Sequence, residues 1–557
     1  MRMNPFSKSF AIMGGLVVAA MAVAQPDAIY HDGVVYTVDD AFKVAEAFSV
    51  QDGRIHRVGS STDILDLAGP NTKVVDLNGR TVVPGLIDSH GHLTGLGQSL
   101  QILDFVGTTS FEEIVVLVSD AVSTATEGEW IAGRGWDQND WPITRMPSHE
   151  ALSVCSPDNP VVLRRIGGHA SLVNAAALAI AGIDGDTPDP PGGKIMRDAT
   201  GEATGVLIDT AQGLVGRHVP PPTDTQTRET VRLAIQRCLS LGLTGVHDAG
   251  IGQKIVRLYQ SMIDDDEFDL RVYAMISGRS TQGLRTAFDH GPIMNYGDGR
   301  LTVRCIKVVG DGALGSRGAA LIESYSDDPG NTGLLIVDED RMTELTEAAL
   351  RNGFQVATHA IGDRANHVTL NAFEAARKAV PDAIDPRLRI EHAQIIALDD
   401  LPRFATLGII PSMQTTHATS DLPWAPKRIG DDRIRGAYAW RKLMDTGARI
   451  ANGSDFPVER ANPMFGIYAA ITRQDHDGMP KDAWQPEERM TREEALRSFT
   501  INAAYAAFEE DVKGSIEQGK FADFIVLSRD IMKVPPSEIL TTRVEMTALS
   551  GDVVFER

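Results

Sequence analysis

Two kinds of hydrophobic pattern divide the chain. From about residue 26 to 82, short β-rich runs alternate with turn residues. Ala28-Ile29-Tyr30 and the run 34–38 flank His31-Asp32-Gly33, and Phe48-Ser49-Val50 leads into Asp52-Gly53, a hairpin signal. The C-terminal end has the same texture, with apolar runs at 522–527, 544–549 and 553–555 and Gly551-Asp552 as a turn. The middle instead alternates apolar runs with helical stretches, the pattern of βα units around a parallel sheet. Its strand candidates are 86–92, 244–247, 271–276, 303–309, 354–359, 388–392, 409–413 and 449–455. Eight such runs, most separated by the roughly 30 residues that ~250 residues in eight units implies, predict a (β/α)8 barrel.

The expected architecture is therefore α/β, a TIM-like barrel over 83–500 with a small β-sandwich domain formed from both chain ends, 25–82 and 501–557. The gap between the first two strands far exceeds one unit, so 93–240 reads as an insertion in the first βα loop. Barrel enzymes place substrate-recognition structure there. Thr491-Arg492-Glu493-Glu494 is a capping-box pattern that starts a helix expected to close the barrel.

Residues 1–24 read as a signal peptide: Arg2 and Lys8, an apolar or small-residue segment from 10 to 23, then Ala22-Val23-Ala24 before Gln25. That predicts a periplasmic or secreted protein with no membrane span after cleavage. Of the 557 residues, 43% are hydrophobic and 23% charged, as in globular proteins, and the formal net charge of −22 argues against a nucleic-acid partner. Cys155, Cys238 and Cys305 are too few for a disulfide framework.

The first barrel strand ends in His90-Gly91-His92. Side chains two apart on a strand share a face, so both imidazoles can reach one ion, and imidazole suits zinc, iron or nickel. Gly91 is expected to let the backbone approach a bound ion or substrate. A lone His-x-His is weak evidence. Here, however, His359, His392 and Asp455 also fall at the carboxyl ends of strands, where barrel sites are built. Lys307 shares the parity of Val303 and Cys305 on its strand.

These stretches resemble the amidohydrolase superfamily of metal-dependent barrel hydrolases, nearest the branch containing N-substituted formamide deformylase. The matching motifs are Val82 through His92, Ile306-Lys307-Val308-Val309-Gly310-Asp311-Gly312, His359-Ala360-Ile361-Gly362-Asp363-Arg364-Ala365, Glu391-His392-Ala393-Gln394, Gly453-Ser454-Asp455-Phe456-Pro457-Val458 and 514–523. The resemblance implies that His90 and His92 bind one metal with Asp455 close by, and that His359 and His392 bind a second. It also implies a carboxylated Lys307 bridging two zinc ions, because an ammonium has donors only. The alternative for Lys307 is an ordinary lysine paired with an acid such as Asp311.

The expected function is a metal-dependent hydrolase that cleaves a non-peptide, amide-type carbon–nitrogen bond of a small molecule with metal-activated water, Asp455 moving the proton. A deaminase or cyclic-amide hydrolase on the same site is one alternative; a catalytically silent metal-binding protein on a hydrolase scaffold is another. Trp136, His169 and Arg317 are candidate substrate contacts, and His247 a candidate supporting residue. A homo-oligomer is an open alternative.

Overall fold

The computed structural model describes residues 25–557 apart from Asn139, Asp140, Thr144, Ile166, Gly167 and His169. The expected signal peptide and His169 therefore lie outside the described residues. Among those described, no helix is long and apolar enough to cross a membrane.

Eight parallel strands run in chain order around the centre: β1 (Leu86–Gly91), β2 (Leu243–Ile251), β3 (Arg271–Ser277), β4 (Leu301–Val309), β5 (Gln355–Ala360), β6 (Arg389–His392), β7 (Ile410–Met413) and β8 (Ala451–Asn452). Each pairs with the next, and a single bridge between Gly91 and Phe456 links the two ends of the ladder. The α/β barrel with separate sheets is thus the fold. Two details differ from the sequence reading. β8 is a two-residue strand, because Gly453 begins the turn that carries Asp455. An additional short strand, Ile293–Asn295, pairs antiparallel with β4.

Both chain ends meet in one sheet, whose order is Asp552–Glu556, Val544–Leu549, Phe524–Leu527, Thr81–Pro84, Val34–Tyr36 and Val44–Ala45. A second sheet of Ala28–His31, Ala47–Gln51, Arg54–Gly59 and Lys73–Asp76 shares a core with it. There Tyr30 stacks on Phe48, and Phe524 meets both rings edge-on, with centroids 4.8 and 4.9 Å away. Such tilted pairs suit the ring quadrupole.

The long segment between β1 and β2 holds a six-stranded sheet that runs from Leu103 to Asp209, with its own core around Trp136, Trp141 and Leu163. Its last helix, Asp224–Ser240, returns to pack on the helix that follows β1 and on β2. The expected capping box is present in full: Thr491 Oγ1 accepts from the Glu494 amide, and the Glu494 carboxylate accepts from the Thr491 amide. All three cysteines are free.

Candidate metal centre

The barrel interior is polar at its carboxyl end, and its hydrogen bonds are what aim the histidines. Nδ1 of His90 lies 2.5 Å from Glu391 Oε2, and both side chains are fully buried. Nδ1 of His92 lies 2.9 Å from the Ala249 carbonyl, and Nδ1 of His392 lies 2.7 Å from Gln414 Oε1. All three partners are oxygens that accept, so each Nδ1 carries a proton; His90 and His392, which burial keeps neutral, retain a lone pair on Nε2. Anchoring of the far ring nitrogen by a carboxylate or carbonyl is the usual support for a metal-ligating histidine.

The Nε2 atoms of His90 and His92 converge on one carboxylate. His92 Nε2 is 3.1 Å and His90 Nε2 3.6 Å from Asp455 Oδ1. Ligand atoms of His90, His392 and Asp455 all lie within 4.8 Å of one another, close enough to share an ion. Lys307 Nζ is 3.2 Å from His90 Nε2, and His359 packs edge-on against His392 at 4.5 Å. The buried Nε2 of His359 has no hydrogen-bond partner. Its nearest charged neighbour is Asp311 Oδ1 at 3.4 Å. Buried polar atoms in folded proteins usually have a hydrogen-bond partner, so a ring nitrogen without one beside His392 fits a metal ligand. No ion pair forms between Lys307 and Asp311, whose carboxylate instead accepts from the amides of Ala320, Ile361 and Gly362.

Burial governs the protonation states. It lowers the Lys307 ammonium from its ordinary range, although Glu391 and Asp455 oppose the shift. It brings His90 down to about 4, with the Lys307 charge adding to the effect, so the imidazole is neutral at pH 7. Burial alone would raise Asp455. The hydrogen bond from His92 leads the effects that outweigh it and hold the carboxyl at about 2.

The backbone around these residues is constrained. His392 and Asp455 sit at φ 72° and 58°, left-handed values that non-glycine residues adopt rarely and that cluster at functional sites. A Cβ on Gly453 would come within 2.6 Å of Asp88 Oδ1 and the His90 amide, so that position needs glycine. Gly91 needs it for a reason other than the expected one: a Cβ there would strike the Phe456 ring at 2.5 Å, so the close approach is made by Phe456.

A cavity of about 710 Å³ opens above the centre. Its walls come from the ends of β1 and β2 and the segments after β3 to β8, including Arg279, Leu314, Ile336, Ile361, His417, Trp424 and Val458. No described residue of 93–240 is in the lining. Trp136 is placed in the insertion core with its indole N–H donating to the Leu163 carbonyl. Arg317 points to Asp327, which accepts from both its Nε and a terminal nitrogen. Neither residue lines the cavity, whose composition is set by loops with no recognisable motif.

Sequence reasoning left three residues without a role. Glu391 was visible only as the neighbour of His392. Arg389, also fully buried, donates to Glu391, the Ser89 carbonyl, Ser412 and His247 Nδ1. His247 thus supports the network from behind, its own Nε2 unpartnered. His417 lies on the helix Thr415–Asp421 with Nε2 3.9 Å from Asp455 Oδ2. The Gln414-Thr415-Thr416-His417 stretch is the one signal that it sits at a strand end.

A parallel barrel with histidines and a carboxylate gathered at its carboxyl face defines the class of metal-dependent barrel hydrolases. The amidohydrolase family model matches residues 73–555, and the chain belongs to that family. It is 33% identical over 537 residues to a putative amidohydrolase of Bacillus subtilis, YtcJ, covering 95% of this chain and 99% of the relative. It is 29% identical to the N-substituted formamide deformylase of Arthrobacter pascens, covering 94% and 97%. Among solved structures, an uncharacterized metal-dependent hydrolase of Pyrococcus furiosus superposes with TM-score 0.76 at 30% identity, over 91% of this chain and all of that one.

Proposed function

We propose that this hydrolase cleaves an amide-type carbon–nitrogen bond, other than a peptide bond, in a small molecule by attack of metal-activated water. The observation that carries the proposal is the set of three imidazoles, each anchored at Nδ1, that gather around Asp455. The Arthrobacter relative acts, by its name, on N-substituted formamides. Leu314, Ile336, Trp424 and Val458 give the cavity apolar surface suited to such a nitrogen substituent.

His90 and His92 with Asp455 would hold one zinc ion and His359 and His392 a second, and a carboxylated Lys307 would supply an oxygen to each. The lowered ammonium range of Lys307 favours this assignment, because only the neutral amine reacts with carbon dioxide. When bound, such ions polarise a substrate carbonyl and bring the pKa of water towards ~7. Asp455, ionised down to about pH 2, takes the proton of the attacking water and returns it to the leaving nitrogen. We also propose that residues 1–24 direct export; N-terminal sequencing of the exported protein should then start at Gln25.

Replacing Asp455 by Asn tests the chemistry. Assayed on a panel of N-formyl, N-acyl and cyclic amides, the variant should keep its metal and lose turnover by roughly 10²-fold or more. Wild-type turnover with metal fully bound would overturn the assignment.

A further inference from the structure

We infer that His417 is a catalytic residue that holds the N–H of the scissile amide; the inference rests on the amide-hydrolase reading above. Asp455 is bracketed. Its Oδ1 faces His90 and His92, whereas Oδ2 faces His417 Nε2 across 3.9 Å. That gap is too long for a direct hydrogen bond, and an atom seated between the two groups meets both.

His417 is placed for such a contact. Its ring lies nearly parallel to His392, at 14° and 5.9 Å between centroids, and its Nε2 is buried without a partner. It lines the cavity together with Asp421 and Trp424, four and seven residues on, so one side of this segment forms a wall. Asp421 is committed elsewhere, accepting from Tyr438 Oη at 2.7 Å and Gln394 Nε2 at 2.9 Å. His417 is thus the group on that wall with an open nitrogen facing Asp455.

The chemistry gives that nitrogen a task. As the amide carbon becomes tetrahedral, its nitrogen acquires a lone pair and keeps its N–H. Asp455 delivers the water proton to the lone pair, the carbon–nitrogen bond breaks, and the amine leaves with both hydrogens. An acceptor on the N–H side orients the lone pair towards Asp455, and His417 Nε2 is that acceptor. His417 ends the cycle unchanged.

The test uses the full enzyme and the secondary amide it turns over fastest in the panel, paired with the N-methyl counterpart that lacks the N–H. Kinetics give kcat/KM for each, or Ki where the N-methyl compound only inhibits. Wild type should prefer the N–H compound by about tenfold or more, the worth of one hydrogen bond to a buried acceptor. His417→Leu should remove that preference through loss on the N–H compound alone, with metal content and Tm unchanged, and His417→Gln should restore part of it through its carbonyl oxygen. A preference that survives in His417→Leu overturns the role, as does a loss accounted for by missing metal. A wild type silent on the whole panel overturns the amide-hydrolase reading and this role together; an active wild type with an unaffected His417→Leu overturns this role alone.

Discussion

Glu391 and His90 form the shortest contact in the centre, and neither is in reach of water. A buried carboxylate is costly unless its charge is met, and Arg389 meets it with two of its nitrogens. Glu391 is thereby kept ionised well below the usual carboxylate range despite burial, and it can hold the His90 Nδ1–H permanently. Glu391→Gln should therefore weaken metal binding by about 10–100-fold, measured by competition with a chelator. Unchanged affinity would reduce Glu391 to a structural ion pair. The metal-site residues were legible as types at strand ends, but these supporting bonds were not: Glu391 and His90 are 301 positions apart, and only the barrel brings them together.

At the scale of elements, the helix Arg492–Ser498 joins local and tertiary signals. Thr491 caps it, and Glu494 also receives two bonds from Arg441. Thr491→Ala should cost about 1 kcal/mol, read from denaturant unfolding. The bonds from Arg441 hold the Glu494 carboxyl at about 2, below its ordinary 4.5. A carboxyl depressed by folding stabilises fully above the unfolded value and loses that contribution as pH falls towards the folded one. The Tm gap between wild type and Glu494→Gln should therefore be widest above pH 4.5 and close towards pH 2. A gap independent of pH would contradict the ion pair. The cap was legible because it is a four-residue pattern. The strand Ile293–Asn295 was not, because three residues carry no period. Nor was the early end of β8, where the left-handed turn at Asp455 overrides an apolar run.

For the whole molecule, the two chain ends close a sheet that neither builds alone. Strand Phe524–Leu527 pairs with Thr81–Pro84, and Phe524 packs edge-on against the stacked Tyr30 and Phe48. Phe524→Ala should cost about 3–5 kcal/mol, seen as an earlier unfolding midpoint. That pairing was legible from the shared β-rich texture of both ends. The insertion was legible as an excess of residues, but its composition did not reveal that its aromatic side chains turn inwards into a core of their own. Among the described residues, the cavity is walled instead by the strand ends and the segments that follow the later strands. The most direct test of the account is metal quantification during chelation and reconstitution, with amide turnover followed in parallel. About two divalent ions per chain are expected, with loss of turnover as they are withdrawn and recovery when zinc is returned. An enzyme that turns over amides equally well when free of metal would contradict it.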